Sequence, residues 1–196
     1  MPNNLLKKSV EIKAKAEEFL FSHHITDILS NYGEIVFAGS YTTNLMVWND
    51  IDIQLILPNS DNYLEVFTSL AKDFLELETT SKVQLLNFYH RKDSNMPRGM
   101  CMGLYSKLPD GTKWKVDIWS LAEEELVKSQ AFQQLMLSKL NPELRELIIK
   151  LKFQLMGEQD RVPKNGSYFI YKAIFEENIL EEKDIINYLK ERGILE

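Results

Sequence analysis

The sequence predicts an α/β chain of the α+β kind: a mixed sheet flanked by helices, with a helical region at the C-terminal end. Three observations predict it. Short β-prone runs fall between residues 34 and 119, and Pro109-Asp110-Gly111-Thr112 between two of them is a strong hairpin signal. Apolar residues at helical spacing occupy the chain before and after that stretch. The 196 residues suffice for one domain with a small extension and a sizeable core.

Each element follows from local pattern. Residues 4–31 read as helix, with Leu6, Val10, Ala16, Phe19, Leu20, Ile25 and Ile28 on one stripe and Gly33 as punctuation. Glu34-Ile35-Val36-Phe37-Ala38 is a short buried strand running into a tight Gly39-Ser40 turn, and residues 41–48 are expected to supply a short helix. Residues 50–57 alternate, Asp50, Asp52 and Gln54 on one face and Ile51, Ile53 and Leu55 on the other, until Pro58 stops the strand. Tyr63, Phe67, Leu70, Phe74 and Leu77 mark a helix. Residues 83–91, 99–108 and 113–119 are expected strands. Ser120 with Glu123 reads as a capping box, and Asn141-Pro142 as an N-cap followed by proline at the first helical position. Leu144, Leu147, Ile148, Leu151 and Leu155 face one side of that helix, which Gly157 is expected to end. Two shorter helices are expected at 167–177 and 182–192. The expected organisation is a core of residues 1–120 and a helical region, 121–196, packed on it.

Composition narrows the function classes. Hydrophobic residues at 44% and charged residues at 27% are an ordinary globular mixture. No apolar run approaches the roughly 20 residues that span a bilayer. The N-terminus lacks the order of a secretion signal, and the single cysteine, Cys101, excludes an internal disulfide, so a cytoplasmic location is expected. A net charge of −6 disfavours nucleic acid backbones and tilts the expectation toward a small or cationic partner, although a local basic groove can exist on an acidic protein. Nothing bears on oligomeric state.

The chemistry lies in three carboxylates and a turn. Asp50 and Asp52, two apart on a strand, project from one face, and Asp117 shares a face with Lys115 and Trp119 while Val116 and Ile118 point the other way. If these strands are neighbours, three carboxylates converge, and their mutual repulsion calls for a cation. Hard oxygen donors suit Mg²⁺, which completes its shell with water and substrate phosphates. Gly39 permits close approach of a ligand, Ser40 adds a hydroxyl, and backbone N–H groups in such a turn cradle anions.

Phe37-Ala38-Gly39-Ser40, nine residues (41–49), then Asp50-Ile51-Asp52, with Asp117 in a later strand, resembles the signature of the DNA polymerase β-like nucleotidyltransferase superfamily over residues 35–119. In scale the chain is similar to the antibiotic nucleotidyltransferases. The resemblance implies a nucleotidyltransferase fold with a mainly antiparallel sheet, and Asp50, Asp52 and Asp117 as ligands of two Mg²⁺ ions. It further implies a nucleoside triphosphate as donor, a hydroxyl acceptor and pyrophosphate as product. Where many small-molecule and toxin–antitoxin relatives follow Gly-Ser with a small residue, Arg and Gly, this chain has Tyr41-Thr42-Thr43-Asn44-Leu45. Lys150 and Lys152 match the position of a helical basic residue that reaches the triphosphate in such enzymes, and Lys113 and Lys115 are further candidates. Most lysines on amphipathic helices are simply solvated, and that is the commoner reading of each. His23, His24 and His90 have no metal-like spacing, and Cys101 between two methionines reads as buried and inert. The leading expectation is transfer of a nucleoside monophosphate to a small-molecule hydroxyl. Modification of tRNA or a protein, and a silent nucleotide-binding module, are the rivals.

Overall fold

A computed structural model describes residues 2–90, 96–156 and 161–196. The chain gathers into two compact units: a sheet unit of Ala14–Thr42 and Asn49–Ala131, and a helical unit of Met1–Lys13, Thr43–Trp48 and Phe132–Glu196.

The elements of the sheet unit follow the alternation of the sequence. Strand β1 (Glu34–Ala38) enters the five-residue helix α3 (Gly39–Thr43), and β2 is Asp50–Ile56. Strands β3 (Thr80–Asn87), β4 (Gly99–Lys107) and β5 (Lys113–Leu121) complete a sheet of order β1-β2-β5-β4-β3. Among the described residues only the β2–β5 pairing is parallel, so the sheet is mixed and mainly antiparallel. The β4–β5 hairpin closes as the turn chemistry requires: Leu108 N donates to Thr112 O (2.8 Å), Gly111 takes φ +88°, and Asp110 accepts from the Thr112 N–H (2.8 Å).

One face of the sheet is core. Ile51, Ile53, Met102, Leu104, Val116 and Ile118 are all fully buried. Helix α4 (Tyr63–Leu75) covers β3 and β4 through Phe67, Leu70 and Phe74, and α2 (Ile25–Ser30) packs on β1 and α4. Phe19, from the C-terminal half of α1 (Pro2–Ser22), stacks on Trp114 of β5 with ring centroids 5.0 Å apart. The other face carries the polar members of the alternation. There Gln54 donates to Ser129 Oγ (2.7 Å) on α5 (Glu123–Lys139), two residues along β2 from Asp52.

The helical unit is built from α6 (Pro142–Gln154), α7 (Gly166–Phe175) and α8 (Glu182–Glu191), with the segment 43–48 threaded through its core. Leu45 and Val47 of that segment are buried with Ile148, Leu151, Ile170, Phe175 and Leu189. Asn141 caps α6 by accepting from Leu144 N (2.8 Å), with Pro142 at its first turn as expected.

Three local expectations are corrected. The helix expected over 4–31 breaks after Ser22, because His24 adopts a left-handed conformation (φ +55°) held by its ring nitrogen on Asp27 (2.8 Å). Ser120 lies inside β5 rather than capping α5, since its pairing with Met100 continues the ladder to Leu121. The strand expected over 83–91 begins at Thr80, with an irregular register between Thr80 and Lys82; Arg91, like Gly157, lies outside the described residues.

Candidate active site on the polar face of the sheet

Register builds the site. In the parallel β2–β5 pair, Asp50 is opposite Lys115, Asp52 opposite Asp117, and Gln54 opposite Trp119. Partners across a ladder lie about 5 Å apart and share a face, so the pairing places Asp50 and Asp52 on one patch with Asp117, which is remote from them in sequence. Ile51 and Ile53 between them are sunk in the core, which anchors the strand's orientation. The entry to β2 is pinned from both sides. Lys115 N donates to Asn49 O (3.0 Å), and the Asn49 amide donates to Lys113 O (3.1 Å).

The turn reaches the same patch. Ala38 pairs with Asp52 across β1–β2, so Gly39 follows directly beside that carboxylate. Gly39 takes φ +59°, and a Cβ there would overlap Asp52 Oδ2. Ser40 stands in the first turn of α3. The backbone therefore comes nearer to Asp52 than any residue with a side chain allows.

Like charges on one face must be compensated. Part of the compensation comes from Lys115, whose ammonium bonds the Asp117 carboxylate and lies 3.7 Å from Asp50 Oδ1. Burial alone pulls the Lys115 pKa down, but Asp50 and Asp117 together more than offset it and the net shift is upward, so Lys115 is an ammonium at neutral pH. About a quarter of each carboxylate side chain remains exposed, 27% for Asp50 and 23% for Asp117. Among the described residues no three His, Cys, Asp or Glu side chains are gathered tightly enough to cage an ion by themselves. The donor chemistry nevertheless fits a hard divalent cation that shares its shell with water and phosphate. It offers carboxylate oxygens on one rigid face, partly open to solvent, with a glycine turn at their side.

The neighbouring strand adds residues that the sequence pattern did not single out. Gly103 of β4 pairs with Asp117, and the Tyr105 ring leans over it: a Cβ at Gly103 would stand 3.1 Å from Tyr105 Cε2 and 3.6 Å from Asp117 Oδ1. Lys82 of β3 sits over that ring, its ammonium 3.9 Å from the centroid. A glycine facing an aspartate across a ladder is the only signal the sequence holds for this. Trp119 stacks with Phe88 at 5.5 Å, and Cys101 is buried, which pushes its thiol pKa up.

The two helical lysines have other partners in the helical unit. Lys150 pairs with Glu182 (2.6 Å) on the surface. Lys152 is fully buried, donates to Leu45 O (2.6 Å) and Tyr171 Oη (3.0 Å), and lies 4.8 Å from the Trp48 ring centroid. Arg145, not foreseen from the sequence, donates to Thr43 O (2.7 Å), the last carbonyl of α3, and to Asn44 O (2.8 Å) just after it. Lys152 and Arg145 thus hold the 43–48 segment against α6.

The sequence matches no protein-family model and no curated protein. The fold does match solved structures. The RNA terminal uridylyl transferase Cid1 is similar with a TM-score of 0.52 at 16% identity, covering 84% of this chain and 46% of that one. Cid1 in complex with its short product ApU gives 0.55 at 14%, covering 89% and 51%. A cytoplasmic RNA terminal U-transferase gives 0.52 at 16%, covering 91% and 56%. The chain therefore has the nucleotidyltransferase fold, and spans about half the length of the structures it matches.

Proposed function

We propose that the chain is a metal-dependent nucleotidyltransferase that moves a nucleoside monophosphate from a nucleoside triphosphate to a hydroxyl acceptor. The observation that carries this reading is the β2–β5 register, which sets Asp50, Asp52 and Asp117 on one sheet face beside a glycine whose missing Cβ leaves room at Asp52. Asp50, Asp52 and Asp117 would hold Mg²⁺, which when bound compensates charge on the triphosphate and on the attacking and leaving oxygens. The backbone N–H groups at Gly39 and Ser40 and the Ser40 hydroxyl bind the distal phosphates. Asp117 orients the acceptor hydroxyl and takes its proton as the oxygen forms a bond to the α-phosphorus. The bond from that phosphorus to the bridging oxygen breaks, and pyrophosphate leaves with the electron pair. Catalysis is mostly positioning and charge compensation on a rigid strand pair. Lys150 and Lys152 remain candidates for the triphosphate, at the cost of their contacts with Glu182 and with Leu45 and Tyr171.

For the acceptor, the net charge of −6 favours a small molecule. The fold likeness to proteins described as RNA terminal uridylyl transferases favours a second reading, an RNA 3′ hydroxyl. One experiment separates them. The protein is incubated with each of the four nucleoside triphosphates and Mg²⁺, with either a small-molecule acceptor pool or a short single-stranded RNA, and pyrophosphate is measured. Release that requires one acceptor class and disappears in Asp50→Ala/Asp52→Ala is the expected result. Release that survives the double substitution would sink the assignment, and triphosphate binding without release for either class would favour a silent binding module.

A further inference from the structure

Lys115 occupies a position with more consequence than a surface salt bridge. It faces Asp50 across the β2–β5 ladder and stands two residues before Asp117 on its own strand, so backbone geometry alone delivers its ammonium between two of the three carboxylates. The ammonium contacts both, bonding Asp117 and lying 3.7 Å from Asp50. Its side chain is 32% exposed, and a lysine stem has four rotatable carbons, so a path to solvent exists. With Asp52 on the same face, the patch sets three carboxylates against this one ammonium.

We propose that Lys115 is an exchangeable counter-ion: it holds Asp50 and Asp117 until a divalent cation takes the same carboxylates, and the two compete for one seat. This rests on the metal-site reading given above. An ammonium in contact with the ligands of a divalent ion is repelled by it, so the two compete for the patch. Cation binding therefore works against both Lys115 contacts, and the free protein is in turn stabilised by them against the repulsion of its own carboxylates. Removing the ammonium has two opposite effects. It loosens the cation-free fold and it raises cation affinity.

The test uses the full chain and Mn²⁺ alone. Binding is followed by the electron paramagnetic resonance of the free ion, and thermal unfolding is recorded with and without it, for the wild type, Lys115→Met and Lys115→Arg. Lys115→Met is expected to melt lower without Mn²⁺, to bind it about tenfold more tightly, as for a coupling of ordinary size, and to gain more in Tm on binding than the wild type. Lys115→Arg, which keeps the charge, is expected to bind like the wild type. Lys115→Gln replaces the Met variant should that fail to fold. Equal or weaker Mn²⁺ binding after removal of the charge overturns the exchange while leaving the metal site standing. No Mn²⁺ uptake by any of the proteins overturns both.

Discussion

At Gly39 the backbone turns through φ +59° within reach of the Asp52 carboxylate, and a methyl group there meets both obstacles at once. Left-handed strain costs about 1 kcal/mol for an L-residue, and the overlap must be relieved by moving Asp52. Gly39→Ala is therefore expected to destabilise by about 1–2 kcal/mol and to depress nucleotidyl transfer more than stability. Normal turnover by a folded Gly39→Ala protein would contradict the proposed closeness of turn and carboxylate. A second residue gives a pH signature. Tyr32 donates to Asp73 Oδ2 (2.5 Å), and that hydrogen bond, followed by burial and the Asp73 charge, raises its pKa to about 12. The folded value lies above the ordinary 10.0, so the contribution is fully present below pH 10 and fades as pH rises toward 12. Alkaline unfolding of Tyr32→Phe should lose part of the wild-type slope in that window. An unchanged slope would remove Tyr32 as its source.

Among the elements, α6 shows how much support one helix can give to a segment remote in sequence. Lys152→Met removes the buried ammonium that donates to Leu45 O and Tyr171 Oη, and is expected to cost about 1–3 kcal/mol in denaturant unfolding. Asn141→Ala removes a single cap and is expected to cost about 1 kcal/mol. A smaller effect for Lys152 than for Asn141 would mean that the buried ammonium contributes little. The elements that were legible beforehand are the locally determined ones: β1 as a strand (although it lies at the sheet edge and only Ala38 of it is buried), β2, the 108–112 turn, the Asn141-Pro142 cap and the apolar stripe of α4. So were Asp50 and Asp52 on one face, because a strand alternates wherever it pairs. The break at His24 was not legible, since a left-handed histidine depends on one contact with Asp27 rather than on periodicity. Nor was the two-carboxylate grip of Lys115, or the lean of Tyr105 over Gly103. Both depend on which strands become neighbours and in what register, and neither fact is local.

For the molecule as a whole, charge and extent decide what the fold likeness can carry. A chain of net charge −6 has a repulsive far field for polyanions. It is expected to retain single-stranded RNA weakly in filter binding at physiological salt, and retention that is tight and steeply salt-dependent would reveal a basic groove and favour an RNA acceptor. The likeness is to structures about twice its length, so it bears only on the shared portion.

The β2–β5 ladder also makes the site a matter of parity. A residue inserted or deleted within β5 ahead of Asp117 would shift the strand by one, placing Val116 or Ile118 on the polar face and driving the carboxylate into the core. There is no half-working intermediate, because odd shifts exchange the two faces entirely while even shifts preserve them. The three aspartates are thus tolerant of changes in the loops between β2 and β4, whose lengths do not enter the β2–β5 register, but not in the 108–112 turn, which fixes how β5 meets β4. They are intolerant of any odd change within the few residues that pair. Variation in this chain should accumulate in those loops and leave the strand lengths untouched.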